Sequence, residues 1–278
     1  MIKINLILII IIIILIIILI IISTCLDIIK SIIFCLVNKI KTCGFLSYYY
    51  VYREIFLEDT YGFVPIKDNM VIFDVGSNIG LYNLYVNSKA NNLKVYSFEP
   101  VPEIFNCLKN NVSNSADNTI INKGLGDTNK IITMNYVKDA SALSSACDFD
   151  DEKLKAHDNI YLEKCGIFST ICKKYLNTRL KNAIKVKTII TTMDDIIREY
   201  DIPKIDILKI DVECYEYNVL KGISRDNFKI IKNIIIEVEN FRKNYKNKII
   251  NLLNDNNFTI KYNNNNNKDN WITIYAYK

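Results

Sequence analysis

Two clusters of residues in this chain have types and spacings that suit chemistry. The first is Phe73-Asp74-Val75-Gly76-Ser77-Asn78-Ile79-Gly80, followed by Glu99-Pro100 at the end of the next apolar run. Strand, glycine turn, helix, strand, acid is the order that builds a nucleoside crevice at the carboxyl end of a parallel sheet. Glycine lets backbone come close to a ligand where a Cβ would collide, and an acid after the second strand can accept from both hydroxyls of a ribose. A dinucleotide fingerprint has its second glycine beside the pyrophosphate, whereas Asn78 holds that place here. A triphosphate loop of the form G-x-x-x-x-G-K-[ST] is also missing. The spacing thus argues against a nicotinamide dehydrogenase and for a nucleoside without a phosphate to cradle.

The second cluster is Asp211-Val212-Glu213-Cys214-Tyr215-Glu216, which closes the apolar run Ile205 to Ile210. Three acids at the end of a central strand could orient an acceptor hydroxyl, act as a base or hold a divalent cation; Glu216 equally suits the start of a helix, where acids are favoured. Asp211 and Glu213 are the candidate catalytic residues. Glu237 and Glu239, ending the following strand, could reach the same crevice. His157, the one histidine, sits in a charged stretch, Asp148 to Lys181, with no recognisable block around it. The eight cysteines include no C-x-x-C pair, so no metal site is expected. Cys107 and Cys214 fall in core elements and read as free thiols. Cys147, Cys165 and Cys172 could pair if the domain faces an oxidising lumen.

The elements that must position these residues alternate as a doubly wound α/β sheet requires. Met70 to Phe73 and Leu93 to Phe98 read as the first two strands, with Gly80 to Ala90 and Pro102 to Val112 as the helices that follow them. Thr119 to Asn122 reads as a third strand, leading to Gly124-Leu125-Gly126-Asp127. Ile131 to Val137 looks like an added strand, and Lys185 to Thr191 reads as extended. Ile205 to Ile210 and Ile230 to Val238 supply the remaining core strands, with helices over Met193 to Tyr200 and Phe241 to Leu253. Phe258 to Tyr262 and Trp271 to Tyr277 form a terminal antiparallel hairpin. Residues 141–184 read as an insertion able to cap an acceptor.

Leu6 to Ile22 is uninterrupted Leu and Ile. At about 1.5 Å per residue it nearly spans a hydrocarbon core of about 30 Å. Its exit, Ser23-Thr24-Cys25, fits a cleavage site poorly, so residues 1–24 are read as an uncleaved signal-anchor in contact with the lipid bilayer through residues 6–22. Lysines flank both ends, which leaves the side of the membrane open; an ER/Golgi-type lumen is compatible. Residues 25–47 read as a juxtamembrane stalk or an amphipathic helix along the membrane surface, or equally as a helix packed on the domain, and residues 48–278 as the globular domain. The net charge of +5 is spread along the 278 residues, with no basic block that would favour nucleic acid.

Taken in order, these blocks resemble the FkbM family of S-adenosylmethionine (SAM)-dependent methyltransferases. The resemblance rests on Asp74 to Gly80, Ser97-Phe98-Glu99-Pro100, Gly126-Asp127, Thr192-Met193-Asp194-Asp195, Leu208 to Glu216 and Val219-Leu220-Lys221-Gly222. It implies a Rossmann-like fold, SAM as cofactor, and methyl transfer to a hydroxyl of a glycan, a lipid-linked sugar or a related metabolite. By that resemblance Asp74, Gly76, Asn78 and Gly80 would line the methionine half of SAM, Glu99 the ribose, and Asp127 the adenine amino group. One position departs from the family: Cys214 stands where a glycine is usual. A Cys there is costly if the backbone needs positive φ. It keeps open a catalytically inactive, membrane-tethered binding or scaffold protein on the same fold.

Overall fold

The computed structural model describes residues 2–112, 117–149, 169–239, 244–262 and 271–278, in two compact units, Met1–Ile40 and Lys41–Lys278. His157, Cys165 and the centre of the expected insertion lie outside the described residues.

The first unit is one helix, α1 (Ile2–Val37), which runs past the expected boundary at residue 24 without a break. Leu8–Val37 has a mean hydropathy of 3.7 and its large apolar side chains are exposed, so the helix is long and apolar enough to cross a membrane. Its only described charges are Asp27 and Lys30, which pair with one another at 3.3 Å.

The second unit opens with α2 (Phe45–Tyr52) and a π-helical turn, Arg53–Leu57. Then follow β1 (Val71–Val75), α3 (Leu81–Asn87), β2 (Lys94–Phe98), α4 (Pro102–Val112) and β3 (Asn118–Ile121). The middle of the chain gives β4 (Gly124–Leu125), β5 (Lys130–Tyr136), α5 (Ser169–Lys181), β6 (Ile184–Thr191) and α6 (Met193–Glu199). The last third gives β7 (Ile207–Ile210), α7 (Glu216–Lys221), α8 (Arg225–Lys229), β8 (Asn233–Glu239), α9 (Tyr245–Asp255), β9 (Thr259–Tyr262) and β10 (Trp271–Tyr277).

The main sheet has the order β3-β2-β1-β7-β8-β10-β9, parallel from β3 to β8, with β10 inserted antiparallel between β8 and β9. The late hairpin is therefore formed as expected. The strand read as an addition, β5, instead pairs with β6 in a separate sheet of order β4-β6-β5. All five residues of β1 are buried, as a central parallel strand covered on both faces requires. On one face Phe73, Phe98, Leu208, Ile234 and Ile236 pack under α6, α7 and α9 through Ile196, Val219, Leu220, Ile249 and Leu253. Each such side chain contributes on the order of 1.5–3 kcal/mol when fully buried. Thr192 starts α6 by accepting the Asp195 N–H at 3.1 Å.

The chain builds β1, β2 and β3 outward, then returns to lay β7 on the other side of β1. That reversal is the switch point of the sheet. Register finishes the work: Val75 lies beside both Phe98 and Ile210, so Gly76, Glu99 and Asp211 leave the three strands at one level.

Candidate functional site

A cavity of about 640 Å³ opens at this level, walled by Gly76, Asn78, Glu99, Asp211 and Glu213 among others. Its volume is in the range of small-molecule sites. Of the cofactor and catalytic residues expected from sequence, these five line the cavity, and Asp74, Gly80 and Asp127 do not.

The glycine turn is shaped by contacts within the protein. Gly76 has φ +84, and a Cβ on it would sit 1.8 Å from the Asp211 carbonyl oxygen. Its glycine is thus required by the approach of β1 to β7, a reason the sequence does not disclose. Gly80, at φ +90, would drive a Cβ to 2.8 Å from Leu108 and Val112 on α4, so it serves helix packing behind the turn. Asn78, at φ 48, lines the cavity; its side-chain oxygen accepts from Ile79 N–H at 2.8 Å and Ser141 Oγ at 3.0 Å.

Glu99 is held from both sides. One oxygen accepts the Asn78 N–H at 3.1 Å and the other the Val101 N–H at 2.9 Å. Burial pushes its carboxyl up to about 7, against the opposing pull of those two N–H groups. Its orientation is fixed by backbone, and its spare acceptor capacity faces the cavity.

Lys209, quoted above only as part of a block, is the residue that joins the two clusters. It is buried in β7, with Nζ 3.2 Å from Asp74 Oδ1, 3.3 Å from Asp211 Oδ2 and 3.3 Å from the Gly76 carbonyl. Burial works against its charge, but Asp74 and Asp211 outweigh it and hold the ammonium above its usual range. Among the described residues the fully buried Asp74 carboxylate meets this ammonium and no aligned hydrogen bond. Asp74 therefore supports the site from behind. A cation inside the otherwise apolar Ile207-Leu208-Lys209-Ile210 was the available signal, since lysine is almost never fully buried unless paired.

Tyr61, also missed, places its hydroxyl 3.0 Å from Asp211 Oδ2 and 3.3 Å from Glu237 Oε2. Burial, then the charges of Asp211 and Glu237, raise its phenol far above the ordinary value, so it remains a donor. Glu237 lines the cavity, as the end of its strand suggested. The side chain of Glu239 lies outside the described residues. Around Tyr61 the wall comes from α2, the π-helical turn and the residue after it, including Ser47, Glu54 and Glu58. Ser47 Oγ accepts the Ala142 N–H at 2.8 Å, tying this wall to the segment that carries Ser141.

Glu216 faces inward and does not line the cavity: it accepts from Cys214 N–H at 3.0 Å and Tyr245 OH at 2.9 Å. Burial pushes it up to about 7. It braces a turn in which Glu213 has φ 53 and Cys214 φ 76. Position 214 thus does adopt the left-handed conformation that favours glycine, at a cost of about 1–2 kcal/mol for a Cys. The Glu216 bond and the Ser145 Oγ bond to the Glu213 carbonyl at 2.9 Å hold that turn in place.

Asp127 is carried elsewhere. A Cβ on Gly222 would lie 2.0 Å from the Gly126 carbonyl, so the chain after β4 is pressed against the end of α7. There Asp127 pairs with Lys130 at 2.7 Å and Lys221 at 3.9 Å.

A mostly parallel switch-point sheet with a glycine turn and a buried acid at adjacent strand ends defines an α/β nucleoside-binding protein. The sequence model of the methyltransferase FkbM domain matches residues 74–260, and the chain belongs to that family. Methyltransferase sdnD of Sordaria araneosa is 29% identical over 211 residues, 69% of this chain and 78% of that protein. The 31-O-demethyl-FK506 methyltransferase FkbM of Streptomyces tacrolimicus is 27% identical over 196 residues, 68% of this chain and 74% of its own. Hexuronic acid methyltransferase AglP of Haloferax volcanii is 27% identical over 172 residues, covering 62% of this chain and 57% of that protein. The protein is a SAM-dependent methyltransferase.

Proposed function

We propose that this protein is a membrane-anchored O-methyltransferase acting on a hydroxyl of a glycan, a lipid-linked sugar or a related metabolite. The observation that carries the reading is one cavity in which Glu99 and Asp211 stand at the ends of β2 and β7, on either side of β1. The family and the likeness to a hexuronic acid methyltransferase support a sugar-like acceptor. The exposed apolar helix Leu8–Val37 supports the anchor. Residues 6–22 would meet the lipid, residues 25–47 would lead from it, and residues 48–278 would carry the activity.

The residues present fit the cofactor. Glu99, fixed by two backbone N–H groups, would accept the ribose hydroxyls. Gly76 and Asn78, which line the cavity, would border the methionine half, with Asp74 and Gly80 holding that turn from behind. The adenine role expected of Asp127 is not retained, because Lys130 and Lys221 engage its carboxylate. When bound, SAM supplies an electrophilic methyl group on a sulfonium. Asp211 would accept the proton of the acceptor hydroxyl, and Tyr61 and Lys209 set the direction of its carboxylate. Glu213, on the same lip, would orient the acceptor. Holding both reactants in one cavity supplies much of the remaining rate enhancement.

The test is transfer of labelled methyl from SAM, by the full-length protein, into glycan and lipid extracts. Label recovered in a base-stable methyl ether of a sugar is the expected result. Label confined to amines, or to carboxyl esters, would replace O-methylation of a hydroxyl.

A further inference from the structure

Cys43 and Cys107 stand 64 positions apart in the chain, yet their Sγ atoms lie 2.6 Å from each other. Cys43 belongs to the short segment leading into α2, the wall of the cavity, and Cys107 to α4. Both are half-buried, so a small reagent can reach them. The surrounding contacts already dock these two pieces. The Asn111 side chain at the end of α4 accepts the Lys41 N–H at 2.7 Å and donates to the Lys41 carbonyl at 3.0 Å. It also donates to the Ile79 carbonyl at 2.7 Å, which joins the same point to the glycine turn. Gly44, next to Cys43, has φ +108, and a Cβ there would sit 1.8 Å from the Asp139 carbonyl. The backbone on either side of Cys43 is thus fixed, and the two sulfurs meet without any element having to move.

We propose that Cys43 and Cys107 form a thiol–disulfide modification site that reacts with a low-molecular-weight disulfide of the glutathione class. The bond it leaves behind clamps the N-terminal wall of the cavity onto α4.

Either sulfur can donate across the 2.6 Å contact, so either can react first and the exchange closes the same bond in both orders. In one order Cys107 is the attacking thiolate. It displaces one thiolate from the small disulfide and forms a mixed disulfide. Cys43 then attacks the Cys107 sulfur, loses its proton to solvent, and expels the second small thiol. Two protein thiols are oxidised and one small disulfide is reduced to two thiols. Such bonds persist where the redox poise is oxidising, so the state of this pair in cells also reads the compartment of the domain.

The full-length protein in detergent, equilibrated over a series of reduced-to-oxidised glutathione ratios, tests this. Samples are acid-quenched, alkylated and digested for mass spectrometry, with hydrogen exchange and thermal unfolding measured in parallel. A linked Cys43–Cys107 peptide accumulates with oxidation, amide exchange across residues 45–57 slows, and the unfolding midpoint rises by roughly 10 °C. Cys107→Ser abolishes that peptide. Alkylation of both Cys43 and Cys107 at the oxidising end, a stable glutathione adduct on either, or a link to another cysteine would overturn the site. A linked peptide with unchanged exchange across 45–57 would overturn the clamp.

Discussion

On one side of the cavity, Gly76, Asn78 and Glu99 come from two consecutive strands and are set by backbone hydrogen bonds. On the other, Tyr61, Ser141, Asp211 and Glu237 come from segments spread over most of the chain and meet through side chains. The first side is local: strand register and one glycine turn produce it. The second exists only after tertiary assembly, with each residue relying on neighbours far away in sequence. On the proposed assignment the former would hold the cofactor and the latter the acceptor, where one segment can change without disturbing the sheet. Lys209 is the buried ionic joint between the two sides, through Asp74 and Asp211, and the Ser141–Asn78 hydrogen bond is a second, neutral link.

Breaking the joint has the largest expected effect. Lys209→Met leaves Asp74 buried without its cation, which costs about 3–5 kcal/mol. Thermal unfolding of the full-length protein checks this. A variant within 1 kcal/mol of wild type, on the order of a few degrees in midpoint, would mean that the two sides are not coupled through this residue.

Glu216 offers a sharper test of the second side, because its contribution depends on pH. Its carboxyl is at about 7 in the fold against 4.5 as the ordinary value. The unfolded chain thus releases this proton first as pH rises, so the residue's contribution is full below about 4.5 and is lost as pH climbs to about 7. The difference in stability between wild type and Glu216→Gln should shift over that window by on the order of 2 kcal/mol, wild type losing ground as pH rises. Denaturant unfolding at pH 5 and pH 7.5 measures it; a pH-independent difference would refute the assignment.

These predictions also mark what the sequence can disclose. Asp74 to Gly80 and Glu99 are legible because their geometry follows from short-range order, strand then turn then strand. The sheet, its hairpin and the helices were legible for the same reason, as periodicity and glycines punctuate them. Tyr61 was not, since a tyrosine in an aromatic-rich approach to the first strand looks like any core residue until β7 and β8 bring two carboxylates to it. Asp127 marks the limit of such reading: its position after a strand is legible, whereas the Gly126–Gly222 contact and its pairing with Lys130 and Lys221 arise only in the folded chain. Cys214 stood out because the family resemblance has glycine at that position, and its φ of 76 shows the left-handed backbone that glycine serves.

Smaller effects sharpen the comparison. Cys214→Gly removes the left-handed strain and should raise stability by up to about 1 kcal/mol, measured by denaturant unfolding, with SAM affinity unchanged. A loss of more than 1 kcal/mol would show that the Cys side chain, buried in the turn, matters more than the backbone. Tyr61→Phe should leave SAM affinity within about twofold by calorimetry, since its hydroxyl serves Asp211 and Glu237 rather than the glycine turn. A tenfold loss there would merge the two sides into one.

The most direct measurement is a calorimetric titration of SAM into wild type and Glu99→Gln from pH 6 to pH 8.5. Glu99 accepts hydroxyl donors best as a carboxylate, and burial pushes it up to about 7, so wild-type affinity should rise as pH passes through that value. Glu99→Gln should bind at least about tenfold more weakly at pH 8 and lose the pH dependence, as expected for a hydrogen bond to a charged group of about 1.5–3 kcal/mol. Equal affinity of the two proteins for SAM across that range would contradict the account.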